Sequence, residues 1–248
     1  MSQYETFSNA PITEALMDII VQLPKETDPE QLERLYDHIK EKYPEKDKKY
    51  LFEARVEFAK DKVPDIERSP TKFQGYIFKS QKEKKLIQAK INGFTFNKLK
   101  PYESWDKFFC EGRKYWDLYK VIAMPLKVVR IALRYINRIE IPLPIKDFEE
   151  YILTNPQIAP DLPQGLSNYF MRLEIPNPQI DSIAIITQTI VKQSNPNKLP
   201  LIFDIDVIIK SEYNIDEERM WEDFNKLRDY KNQIFFHSTT EKAKELFR

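Results

Sequence analysis

The spacing of apolar residues changes repeatedly along the chain, and each change marks an element. Ile12 to Leu23 collects Leu16, Ile19, Ile20 and Val21 with few breaks and stops at Pro24, which predicts a largely buried strand. Asp28-Pro29-Glu30-Gln31 follows, with Asp28 placed to cap free amides and Pro29 at the first helical position. Leu32, Leu35, Tyr36, Ile39 and Tyr43 continue at helical spacing, so a helix is expected to run to Lys42. From Leu51 to Lys60, Phe52, Ala54, Val56 and Phe58 alternate with Glu53, Arg55 and Glu57, the period of a half-buried strand. Lys72 to Lys79 predicts another. Leu86 to Ile91 and Phe94 to Leu99 flank Asn92-Gly93, residues that tolerate positive φ, and so predict a hairpin. Ser104 to Met124 sets Trp105, Phe108, Phe109, Trp116 and Tyr119 near helical spacing, and Pro125 ends that helix.

Past Pro125 the order begins again. Val128 to Ile141 predicts a long strand, Ile145 to Leu153 a short helix, and Leu166 to Ile175, Ile180 to Lys192 and Leu201 to Lys210 three strands. The Pro-rich stretch Asn155 to Pro163 reads as a surface loop. Asp216 is placed to cap a helix carrying Trp221, Phe224 and Leu227. Ser238-Thr239-Thr240-Glu241 is a capping box, with Ser238 as cap and Glu241 reaching back, and opens a last short helix. Residues 1–125 and 126–248 thus share one order: strand, helix, three or four strands, helix. No residue-level repeat accompanies it. The expected fold class is α+β: antiparallel sheets packed on helices in one unit, a pseudo-duplication of TATA-binding-protein-like or helix-grip-like kind. Trp105, Phe108 and Trp116, and likewise Trp221 and Phe224, should be buried against a sheet.

Composition narrows the chemistry. Lys plus Arg equals Asp plus Glu at 39 each, so no global field draws the chain to nucleic acid or to an anionic membrane, and any such attraction must be local. Apolar runs such as Ile183 to Ile186 are too short to span a bilayer, and Met1 to Asn9 lacks the pattern of a secretory signal, so a cytoplasmic location is expected. One cysteine, Cys110, excludes an internal disulfide and reads as a buried structural thiol. Two histidines, His38 and His237, are too few for a Cys/His zinc site, and four scattered glycines form no phosphate loop or dinucleotide fingerprint. His38 reads as a surface residue. No nucleophile elbow or metalloprotease helix appears, and no cofactor is expected.

Three constellations remain. Arg130, Arg134 and Arg138 share one face of the Val128 strand and could bind phosphate or a carboxylate-bearing partner, or pair with Asp204 and Asp206 on the Leu201 strand. The hairpin from Lys79 to Lys100 holds Lys82, Lys84, Lys85 and Lys90 among its lysines, with Phe94 and Phe96 interleaved. That combination suits nucleic acid, while lysines also protect sheet edges from aggregation. Asp204 and Asp206, with Glu53 and Glu57, could gather around Mg²⁺ in a hydrolase.

Asn9-Ala10-Pro11-Ile12-Thr13-Glu14-Ala15, Leu133-Arg134-Tyr135-Ile136-Asn137 with Arg138-Ile139-Glu140-Ile141-Pro142, and Phe235-Phe236-His237-Ser238-Thr239-Thr240 through Ala243 form an ordered set. Together they resemble a sporadically distributed, functionally uncharacterised family of prokaryotic proteins, over nearly the whole chain and with no catalytic residue attached. The resemblance implies a sensor or partner subunit, as in a defence-type system. The residues have structural readings too: Pro11 fixes Asn9-Ala10 as an extended entry, Asn137 belongs to the central motif, and Glu14 in its apolar strand needs a partner such as an Arg of the Val128 strand. The expectation is a non-enzymatic binding protein with a protein partner. A nucleic-acid binder and a Mg²⁺-dependent hydrolase are the alternatives.

Overall fold

A computed structural model describes residues 4–57, 65–163 and 166–248, with 52–57 and 65–71 as backbone only. The strands are β1 (Ile12–Gln22), β2 (Glu45–Glu57), β3 (Asp65–Ser80), β4 (Lys85–Lys90), β5 (Gly93–Leu99), β6 (Lys127–Pro142), β7 (Phe170–Asn177), β8 (Ser182–Ile190) and β9 (Lys198–Ile209). The helices are α1 (Leu35–Ile39), entered through a 3-10 turn at Pro29–Arg34, then α2 (Trp105–Ala123), α3 (Arg219–Ser238) and α4 (Glu241–Glu245). Among the described residues, no helix is long and apolar enough to cross a membrane. Phe58 to Lys60 lie outside the described residues.

All strand pairs are antiparallel, in one sheet ordered β2-β3-β4-β5-β1-β6-β9-β8-β7. After β1 the chain goes to one edge and returns inward until β5 pairs with β1. After β6 it goes to the other edge and returns until β9 pairs with β6. β1 and β6 therefore lie side by side at the centre, with Met17 opposite Leu133 and Asp18 opposite Ala132.

Because side chains alternate along a strand, the central strands each give one face to the helices. Ala15, Met17 and Ile19 of β1, Phe94 and Phe96 of β5, and Leu133, Tyr135 and Ile139 of β6 are buried there. A Cβ on Gly112 of α2 would stand 2.7 Å from the Met17 Sδ, so α2 lies directly on β1. α3 lies beside it, with Phe109 edge-on to Trp221 and Phe235 stacked on Phe203 of β9. Trp105, Phe108, Trp116, Trp221 and Phe224 are all buried, as their spacing predicts. Burying each such side chain contributes about 1.5–3 kcal/mol before entropy is counted.

Several local expectations are corrected. Asn92-Gly93 is not the centre of its turn: Ile91 and Asn92 form the loop, Lys90 pairs with Gly93, and a Cβ on Gly93 would meet the Ile19 carbonyl oxygen at 2.3 Å. Ile145–Leu153 is no helix beyond a 3-10 turn at Phe148–Glu150, because Ile152 bridges to Thr239 and the Leu153 amide donates to the Ser238 carbonyl at 2.8 Å. Asp216 does not cap α3 but pairs with Lys120 at 2.7 Å. Nor does Ser238 cap the last helix. It ends α3, Thr240 is the cap, and Glu241 pairs with Lys244 and Arg248. Cys110 is exposed, on the outer side of α2.

Candidate functional site

The arginine row lies on the sheet face away from the helices, and its members are paired. Arg134 grips Asp204 of the neighbouring strand, with Nε at 2.9 and 3.1 Å from its two carboxylate oxygens and Nη2 closing the fork. Arg130 meets Asp18 of β1, and Arg138 meets Glu140 at 2.6 Å. Asp18 also takes Lys90 at 3.2 Å and the Thr95 hydroxyl. Burial pushes the Asp18 carboxyl up, but Lys90, Thr95 and Arg130 together outweigh it and hold the group below the usual carboxylate range. Glu14 takes a 2.6 Å hydrogen bond from Asn97 rather than an ion pair with an arginine.

Asp206 and the Arg130 Nε are less well satisfied in this network. Asp206 stands opposite Arg134 in register, yet its buried Oδ1 has no hydrogen bond. Burial, helped by the nearby Asp204 carboxylate, outweighs Arg134 and pushes the Asp206 carboxyl up to about 6. Two oxygens of Asp204 are thus committed to Arg134, and the Glu53 and Glu57 side chains lie outside the described residues. No cluster of three or more His, Cys, Asp or Glu suited to a metal ion occurs among the described residues.

The basic hairpin is corrected on two counts. β4 and β5 lie inside the sheet, so there is no edge for their lysines to protect. Phe94 and Phe96 face α2, fully buried, and offer no ring face to a base. The lysines divide between the two faces: Lys90 joins the Asp18 network, while Lys85 is buried between Glu83 and Glu111 at 2.9 and 2.8 Å. Lys82 and Lys84 are exposed.

A separate concavity lies elsewhere, a cleft of about 1130 Å³. Its walls are the N-terminal segment from Tyr4 to Ile12, the start of α2 with Tyr102 and Trp105, Tyr135 and Asn137 of β6, and the second half of α3. The three segments that carry the family resemblance meet here, through Ala10 and Pro11, Tyr135 and Asn137, and Phe235 to His237. Backbone bonds fix this convergence: the Arg138 amide donates to the Pro11 carbonyl and the Asn9 amide to the Phe247 carbonyl, both at 2.9 Å. Asn137 is buried and donates to the Phe203 carbonyl at 3.0 Å.

At the back of the cleft stands Lys231. Met220, Phe224, Leu227, Lys231 and Ile234 form the buried stripe of α3, so the lysine occupies a position the helix otherwise gives to apolar side chains. It is 9% exposed, and its Nζ lies 3.9 Å from the centroid of the Tyr135 ring. Among the described residues no carboxylate lies within ion-pair distance of Nζ, and Nζ makes no hydrogen bond. Burial, with Arg228 adding its positive charge, pulls the amine down to about 7. Tyr135 and Tyr102 share a 2.8 Å hydroxyl contact beside it, and burial pushes both phenols up, so they remain protonated donors. The arrangement is an amine that titrates near neutral pH and two neutral hydroxyls in a cleft lined by aromatic and polar side chains.

Lys231, Tyr102 and Tyr135 are functional candidates that charge counting over short windows does not find. The available signal is a lysine at helical spacing between Leu227 and Ile234. Comparisons of this chain with protein-family models, curated proteins and solved structures gave no match.

Proposed function

We propose that the chain is a binding protein whose ligand seat is the cleft around Lys231, acting as a sensor or partner subunit rather than through the arginine row. The observation that supports this is a buried lysine amine that meets the Tyr135 ring but no carboxylate. A buried amine costs stability unless something compensates it, and an open cleft at that point offers the place for a ligand to do so. The cleft sets aromatic side chains such as Tyr102, Trp105 and Phe235 among many polar ones, a lining suited to a polar small molecule. The arginine row, with each guanidinium already facing a carboxylate, acts in this reading as internal bracing of the sheet.

The outward-and-back strand order after β1 and after β6 supports an ancient duplication, with β1 and β6, β5 and β9, and α2 and α3 as equivalents. In that reading the cleft lies where the start of one equivalent helix meets the second half of the other, in the manner of a pseudo-symmetric TATA-binding-protein-like or helix-grip-like arrangement. Nucleic-acid binding through the hairpin has lost its stacking platform, and a Mg²⁺ site at Asp204 would have to displace Arg134.

A thermal-shift screen of small polar metabolites tests the reading. Stabilising compounds should lose their effect in Lys231→Met and keep it in Arg138→Gln. Compounds that depend on Arg138 and ignore Lys231 would move the site to the open sheet face.

A further inference from the structure

We propose that the Lys231 amine captures a small aldehyde or ketone bearing an acidic group, forming a reversible imine within the cleft. The inference rests on the reading of the cleft as the ligand seat and names the chemical class that the seat takes.

An amine must carry a free lone pair to attack a carbonyl carbon. Surface lysines hold a proton at neutral pH, whereas Lys231 is nine-tenths buried, without a carboxylate partner and next to the Arg228 charge, and so loses its proton near 7. The Tyr135 ring face at 3.9 Å favours the charged ammonium, so burial and the Arg228 charge lower the amine against that contact, while the Tyr102 and Tyr135 hydroxyls stay protonated. The Glu5 carboxylate in the cleft wall is held by Arg248, and Glu103 by Lys107.

The chemistry closes without an oxidant or reductant. Nζ forms a bond to the carbonyl carbon, and a phenol of the Tyr102–Tyr135 pair donates to the developing oxyanion. The two amine protons leave with the oxygen as water, and C=N replaces C=O. Arg228, which lines the same cleft over the Trp105 ring and has Asp229 at 3.7 Å, supplies the charge that an acidic group on the ligand would meet in competition with Asp229.

Glyoxylate is the test probe, since it joins an aldehyde to a carboxylate. The wild-type protein is treated with glyoxylate and cyanoborohydride at pH 7, which fixes any imine as a stable secondary amine, and modified lysines are located by peptide mass spectrometry. With an amine titrating near 7, against about 10.4 for exposed lysines, Lys231 should be labelled at least tenfold faster than Lys82 or Lys84. Labelling of Lys231 no faster than of those two overturns the proposal. The reading of the cleft is separated by a parallel thermal shift with glyoxylate and no reductant. A shift lost in Arg228→Gln, with no preferential labelling, would leave the cleft as a binding site and remove the imine. Preferential labelling without such a shift would keep the imine and remove Arg228 as the acidic group's anchor.

Discussion

The amine nitrogen of Lys231 lies 3.9 Å from the centre of the Tyr135 ring, and the Tyr135 hydroxyl is in turn 2.8 Å from that of Tyr102. This contact joins α3 to the central strand β6 and to the entry of α2, so one polar column passes through an otherwise apolar seam. It has energetic consequences that can be measured.

Lys231→Met should stabilise the protein at pH 6 and change the slope of stability with pH. The native chain gives up the Lys231 proton near 7, while the unfolded chain keeps it to about 10. Stability of the wild type should therefore rise with pH across that window from this group, and the variant should lack that rise. Urea titrations of both proteins at pH 6, 8 and 9.5 check it. A variant less stable than wild type at pH 6 would show that the lysine is compensated in the native state.

Asp206 should act in the opposite sense. Its folded value of about 6 lies above the unfolded value of about 4, so the native chain binds a proton that the unfolded chain has released. Its stabilising contribution is complete below pH 4 and lost as pH rises through 6, a difference on the order of 2–3 kcal/mol. Asp206→Asn should be more stable than wild type at pH 8 and nearly equal to it at pH 4. Equal stability at both values would mean that the carboxylate finds a partner.

Arg134→Met should cost about 2–3 kcal/mol, somewhat below the cost of breaking a fully buried pair, because Asp204 is left buried while Arg134 itself keeps water contact. Adding Asp204→Leu should restore most of the loss. Additive losses in the double variant would show that the pair does not act as a unit.

In the hairpin, Lys85→Met should cost about 1–3 kcal/mol because it strips the partners from Glu83 and Glu111. Lys82→Gln with Lys84→Gln should stay within about 0.5 kcal/mol of wild type. Chemical denaturation of the two variants makes the comparison. A larger loss in the double variant would mean that the exposed lysines have structural partners.

These contrasts show what was legible in the sequence. The near-continuous apolar run of β1, the aromatic spacing of α2 and the alternation that puts Arg130, Arg134 and Arg138 on one face of β6 are short-range patterns, and each has its structural counterpart. The lysines from 79 to 100 misled because a count ignores alternation: neighbouring strand positions face opposite sides, so one dense stretch of charge was divided between two networks. Ile145–Leu153 failed for another reason. Its backbone bonds to the end of α3, a partner more than eighty residues away. The cleft is assembled from the N-terminal segment, β6 and α3, and no local window contains it.

The most direct test of the account is the titration of the Lys231 side chain itself. Lysine-selective isotope labelling, with the Lys231→Met spectrum identifying the resonance, would follow the Nζ and Cε signals from pH 5 to 11. A midpoint near 7 is the predicted result. A midpoint at or above 10, the ordinary lysine value, would contradict both the lowered titration of the amine and the cleft built around it.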